Sequence, residues 1–251
     1  MKDKHKYLLI AGCSHTAGAE IDGTPDSYYN RSKSYGNLLA NMLNRTPINI
    51  AVCGSSNTGI CRSVQEWFYT EYDPNSMDLG VLVGWTESCR VEHPTNDDTW
   101  DHLQHHEYAD WLASTLYRYL VINMGWPGGS TKEKKIVKRY RKFVTNHLEF
   151  FEMYSANIVL QLQYFLKSND IPYLMCNTME MFTNSPCNDF YIEMIDKSRY
   201  FNLTDVSRSF YPYYKKLGFV NKKANYWHHG EDPHFLYAED LYKFSTESNL
   251  F

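Results

Sequence analysis

Three short runs, Tyr7–Ala11, Ile48–Val52 and Leu79–Val83, are apolar at nearly every position, and each is followed within two residues by a glycine. A strand with one wet face alternates apolar and polar residues, so a run without alternation reads as a strand covered on both sides. The segments between the runs read as helices, at Tyr35–Leu43 and from about Ile60 to Tyr72, with a polar loop over Asp22–Ser34. Strand and helix in alternation predict a parallel sheet between two helical layers. A fourth strand over Ile171–Cys176, entered through Pro172, and a closing helix over Phe235–Phe244 extend the pattern. The expected fold is a three-layer α/β/α sandwich.

Between Val91 and Gly129 the rhythm changes, which predicts an insertion after strand three. Leu112–Met124 reads as one helix inside it, and Trp126-Pro127-Gly128-Gly129 is a break. A single long helix is then expected up to Asn169. Ser130 and Glu133 form a capping box at its start, and Ile136, Tyr140, Phe143, Phe151, Tyr154, Ile158, Leu162 and Phe165 form its apolar stripe. Residues 177–227 are Tyr-rich and irregular, with weak helical stretches near Tyr191–Lys197 and Ser207–Lys216. With no repeat and no low-complexity linker, residues 1–251 read as one domain.

Composition excludes several classes of protein. Apolar residues make up 43% of the chain and aromatics 16%, which describes a packed globular protein. A net charge of −4 does not suit a protein that blankets nucleic acid. No stretch approaches the roughly 18 consecutive apolar residues of a membrane span. Ile10-Ala11-Gly12-Cys13 has the form of a lipoprotein cleavage box, but the apolar segment before it is shorter than the roughly 7–15 residues of a signal core. Without a secretory signal the sequons at Asn30, Asn44 and Asn202 carry little meaning. The cysteines at 13, 53, 61, 89, 176 and 187 form no CxxC pair, which predicts free thiols and a cytoplasmic location.

The carboxyl ends of parallel strands open onto one crevice. Three strand ends therefore converge there: Gly12-Cys13-Ser14, Gly54-Ser55-Ser56-Asn57 and Gly84-Trp85-Thr86-Glu87. A serine on such a turn needs a base for its proton and donors for the charge that develops on a substrate carbonyl. The candidate bases lie in Trp227-His228-His229-Gly230-Glu231-Asp232-Pro233-His234, just before the last helix.

These blocks, in this order, resemble the SGNH (GDSL-type) hydrolases, whose sheet is flavodoxin-like. Gly12-Cys13-Ser14-His15-Thr16 is similar to the family's first block, with Cys13 in place of Asp. Asn49 to Gly54 and on to Asn57 is similar to the second, and Gly84-Trp85-Thr86-Glu87 to the third. The wording Gly-Cys-Ser-His-Thr and Gly-Trp-Thr looks closest to small SGNH-like proteins of tailed phages, which would place the chain in host cytoplasm. The resemblance implies an esterase or acyl hydrolase without metal or organic cofactor, acting on carbohydrate O-acyl esters or other small esters.

It implies Ser14 as nucleophile, with the amides of Ser14 and Gly54 in the oxyanion hole. Thr86 stands where the family has Asn, so a threonine hydroxyl or the neighbouring Asn57 would have to supply the third donor. Losing one fixed donor costs roughly 3–4 kcal/mol of transition-state stabilisation. The base is His228 by the six-residue spacing to His234 and the following Tyr237-Ala238-Glu239. It is His234 if Asp232 orients the imidazole. His15, Trp85 and Arg90 are the expected substrate contacts. The competing expectation is a scaffold that lost turnover and acts as a binding or structural protein.

Two further clusters stand apart from this site. His102 and His106, near His105, Asp97, Asp98 and Asp101, share a helical spacing, but no third ligand completes a metal site. The basic run from Lys132 to Lys142 reads as a solvated helix face and is the one hint of an anionic partner such as nucleic acid.

Overall fold

The two-sided burial expected of the apolar runs is visible residue by residue. The computed structural model describes residues 4–95, 118–124, 131–143, 147–182, 189–224 and 227–251. Strand β1 (His5–Gly12) is buried from Leu8 onward. Its alternate side chains enter different cores, Leu9 and Ala11 on one face and Leu8 and Ile10 on the other. Helix α1 (Ser14–Ala17) follows directly, then α2 (Tyr28–Lys33) and α3 (Tyr35–Met42). Next come β2 (Thr46–Asn49), α4 (Asn57–Glu71) and β3 (Met77–Trp85). The chain goes on as β4 (Arg90–Thr95), β5 (Arg118–Asn123), α5 (Thr131–Phe143), α6 (Leu148–Ser168), β6 (Tyr173–Asn177), α7 (Asp189–Met194), β7 (Tyr200–Phe201), α8 (Phe210–Lys216) and α9 (Glu231–Glu247).

Strands β2-β1-β3-β6-β7 form a five-stranded sheet in that order, and every pairing in it is parallel. One face packs against α4 and α6 through Ile60, Val64, Trp67, Ala156, Val159 and Leu162. The other packs against α3, α8 and α9 through Tyr35, Leu39, Phe210, Tyr214, Tyr237 and Leu241. The protein is thus an α/β sandwich with a helical layer on each face. Beyond β2, the amides of Ile50 and Val52 still donate to the carbonyls of Ile10 and Gly12 at 2.8 and 3.0 Å. The chain therefore runs beside β1 up to the turn at Gly54.

Several expectations are corrected. Over its described part, the helix expected at Leu112–Met124 is strand β5, paired antiparallel with β4 in the register Val91↔Ile122. Its Tyr-Leu-Val-Ile run suits either element, and the partner strand decides. The hairpin buries Val91, Ile122 and Met124 against Val137 and Phe151. The single helix expected to reach Asn169 is two, α5 and α6, with His147 as the extended N-cap residue of the second. Helix α2 lies within the expected loop, capped by Ser27 Oγ, which accepts the Asn30 N–H. Strand β7 is too short to carry a sequence pattern. The histidine cluster at 102–106 lies outside the described residues. Lys134, Lys135, Lys138, Arg139 and Lys142 are exposed on α5, as a solvated face requires. Among the described residues no helix is long and apolar enough to cross a membrane.

Candidate active site

Ser14 is delivered by a turn that only glycine permits. A Cβ on Gly12 would stand 2.1 Å from Thr16 Oγ1, so the chain can fold straight from β1 into α1. Cys13 is the extended N-cap residue, and Ser14 opens the helix with 9% of its surface exposed. Its amide belongs to the first helical turn, whose N–H groups have no partner inside the helix. Gly18, at φ 79°, closes α1 in the left-handed region. The chain then turns again at Glu20, a non-glycine residue at φ 61°.

His228 reaches this turn from the far end of the chain. Its Nε2 lies 2.9 Å from Ser14 Oγ, and its Nδ1 lies 2.6 Å from Glu20 Oε2. Serine, imidazole and carboxylate stand in line. The neighbouring His229 anchors the segment by a 3.0 Å hydrogen bond from Nε2 to the Tyr211 carbonyl. His234 is committed elsewhere: its Nδ1 accepts the backbone N–H of Tyr35 at 3.1 Å, and its ring stacks on Tyr35. The expectation of His234 as base is corrected on that ground. Asp232 is exposed on the first turn of α9. The carboxylate beside the imidazole is Glu20, which no familiar spacing in the sequence indicated. Its proximity to Ser14, six residues along one tight turn, was the available signal.

Burial acts on three imidazoles of this region. It pushes His234 down to about 3, with the charges of His229 and His228 adding to the effect. It also holds His15 well below the ordinary histidine value, followed by the charges of His228 and Arg90. His229 is lowered by burial too, against the opposing hydrogen bond to Tyr211. These three rings are neutral near pH 7, and a carboxylate faces His228.

The oxyanion candidates divide. Gly54 is exposed at φ 79° with open space where a Cβ would project, so its conformation rather than a clash calls for glycine. Asn57 is 2% exposed and its amide group is engaged: Oδ1 accepts the Thr86 N–H at 2.9 Å, and Nδ2 donates to the Thr86 carbonyl at 3.2 Å. Asn57 Nδ2 also lies 3.2 Å from Ser155 Oγ. Thr86 is wholly buried, and its Oγ1 has no hydrogen-bond partner among the described residues. The Asn57 amide is therefore engaged within the fold, and the Thr86 hydroxyl is buried. Trp85 is also wholly buried, within the core on the α4 and α6 face, and offers no surface to a substrate. His15 lies beside the site, its ring centroid 4.8 Å from that of His228 and 4.9 Å from that of Tyr211, with a buried Nδ1 that has no partner among the described residues. Arg90 pairs with Glu87 at 3.6 Å. No group of three or more metal-ligating side chains occurs among the described residues.

No family model matches the chain, and no curated protein matches it in sequence. Solved structures do. Its structural neighbours are esterases and lipolytic proteins of the G-D-S-L family. A psychrotrophic esterase, EstA from Pseudoalteromonas sp., is 11% identical, with 97% of this chain and 98% of that one covered and a TM-score of 0.44. A member of the lipolytic G-D-S-L family from Veillonella parvula is 11% identical, with 96% and 97% covered and a TM-score of 0.43. An acetyl xylan esterase from Butyrivibrio proteoclasticus is 13% identical with a TM-score of 0.43, and this chain covers 66% of its length.

Proposed function

We propose that the protein is a serine esterase of the SGNH type that forms an acyl-enzyme on Ser14, with His228 as its base. The observation that carries this reading is the 2.9 Å contact between His228 Nε2 and Ser14 Oγ across 214 residues. Ser14 Oγ attacks the ester carbonyl as its proton passes to Nε2 of His228. The imidazolium then returns that proton to the departing alcohol, and a water activated by the same nitrogen releases the acyl group. The amides of Ser14 and Gly54 receive the oxyanion. The Asn57 amide is tied to the Thr86 backbone and is not a free third donor; losing one fixed oxyanion donor lowers turnover roughly 10²–10³-fold. O-acyl carbohydrates and small esters are the substrate class.

The test is hydrolysis of p-nitrophenyl acetate by the wild type and Ser14→Ala, together with labelling by a fluorophosphonate. Turnover that disappears in Ser14→Ala, with label on Ser14 of the wild type, is the expected result. Equal rates and no label would sink the reading. They would favour a scaffold that binds its ligand without turnover, a second reading motivated by the engaged Asn57 amide.

A further inference from the structure

We propose that Glu20 is the positioning carboxylate of the base His228, supplied by the same turn that carries the nucleophile. This inference rests on the serine-esterase reading and extends it to a residue that spacing does not reveal.

An imidazole whose Nε2 is to accept the serine proton must carry its own proton on Nδ1. That nitrogen faces Glu20 Oε2 at 2.6 Å, so Nδ1–H donates to the carboxylate and the tautomer is set. The contact is partly shielded, with both side chains 18% exposed. When the serine proton arrives, the positive charge forms beside an anion and the carboxylate stays ionised. No proton moves to Glu20.

The other groups around His228 do not provide this partner. His15 approaches from α1, and His229 follows on the same segment. Lys215 on α8 lies over the Trp227 ring at 5.8 Å, and the charge of Arg90 on β4 reaches His15. These are cations or neutral rings, and the anion that faces His228 is Glu20.

The backbone holds the carboxylate in place at a conformational cost. Glu20 lies in the left-handed region, which is unfavourable for a residue with a Cβ and is kept only where surrounding bonds enforce it. Three hydrogen bonds enforce it here. The Glu20 N–H donates to the Thr24 carbonyl at 3.0 Å, and the Gly23 N–H donates to the Glu20 carbonyl at 3.0 Å. Asn221 Nδ2 donates to that same carbonyl at 2.8 Å. Asn221 is buried and lies seven residues before His228. The turn that presents the carboxylate is thereby fastened to the segment that presents the base.

The experiment compares wild type, Glu20→Gln and Glu20→Asp by the pH dependence of kcat/KM for p-nitrophenyl acetate, with thermal unfolding to verify folding. It adds the proton NMR signal of the His228 Nδ1–H. Glu20→Gln should lower kcat by up to about 10⁴-fold, the fall seen when a triad carboxylate becomes an amide. It should also move the acid limb of the profile to lower pH, because the anion that favours the imidazolium is gone. Glu20→Asp keeps the charge, so its limb stays near that of the wild type and kcat recovers in part. A downfield Nδ1 proton should be present in the wild type and Ser14→Ala and absent in Glu20→Gln. A folded Glu20→Gln protein with an unmoved acid limb would overturn the proposal while leaving the esterase reading intact. Should no Ser14-dependent turnover exist, the esterase reading fails and the proton signal alone decides: its loss in Glu20→Gln supports the pairing, and its absence from the wild type refutes it.

Discussion

Asn57 and Thr86 hold each other by both ends: the Thr86 N–H donates to Asn57 Oδ1 at 2.9 Å, and Asn57 Nδ2 donates to the Thr86 carbonyl at 3.2 Å. The pair ties the start of α4 to the end of β3 and so fixes two of the three strand-end turns relative to each other. Asn57→Ala leaves a buried N–H and a buried carbonyl without partners. The expected loss of stability is roughly 2–4 kcal/mol, read as a lower urea midpoint with an unchanged slope. A loss below about 0.5 kcal/mol would mean that water replaces the amide without difficulty.

Gly84 keeps the Ser14 turn in place from the neighbouring strand. A Cβ there would stand 2.3 Å from both Thr16 Oγ1 and the Tyr35 hydroxyl, which are themselves bonded at 2.7 Å. Gly84→Ala should cost roughly 1–3 kcal/mol by overpacking. Through the displaced Thr16, two residues from Ser14, it should also lower kcat/KM about tenfold or more. Stability and esterase assays on one preparation check both.

The two histidines six residues apart should respond oppositely to truncation. His228→Ala removes a partly exposed side chain, so activity should fall to background while stability stays within about 1 kcal/mol. His234→Ala leaves the buried Tyr35 N–H without its acceptor and opens a cavity. It should destabilise by roughly 2–4 kcal/mol yet remain active below its melting temperature. The reverse pattern would make His234 the base.

Acid should unfold the protein through its histidines before its carboxylates. His234 falls from 6.5 to about 3 on folding, and His15 and His229 are lowered as well, in each case first by burial. Folded values below the unfolded one mean that the unfolded chain takes up protons first. Stability is therefore complete above about pH 6.5 and declines as the pH falls toward 3. From pH 6.5 to 4.5, two units at about 1.4 kcal/mol each, His234 alone accounts for roughly 3 kcal/mol. Asp22, Asp73 and Asp196 are lowered from 3.8, so their contribution is lost only below that. Urea midpoints at pH 7 and 4.5 should differ in the wild type and differ less in His234→Gln, where His15 and His229 still contribute. Equal midpoints in the wild type would show that His234 is not held neutral.

Much of this was legible in the chain. The uniform apolar runs around Leu8, Val81 and Leu174 announce buried parallel strands because burial on both faces leaves no room for alternation. The turns at Ser14, Gly54 and Thr86 are recognisable because strand ends in such a sheet share one crevice, whereas the choice between His228 and His234 stayed open. The Arg118–Asn123 strand was not legible, since its residues suit a helix equally and only pairing with Arg90–Thr95 settles the matter. Nor was the withdrawal of Asn57 from the oxyanion position, because the hydrogen bonds of an amide depend on what folds up beside it.

Local composition and periodicity determined the sheet, its two helical layers and the three turns that meet at its edge, because hydrophobic burial follows patterns written over a few residues. Tertiary structure alone decided which imidazole faces Ser14 and which carboxylate faces that imidazole. Both choices depend on contacts between segments about two hundred residues apart: α9 buries His234 against Tyr35, and the Glu20 turn docks on Asn221. Spacing along the chain does not encode such contacts.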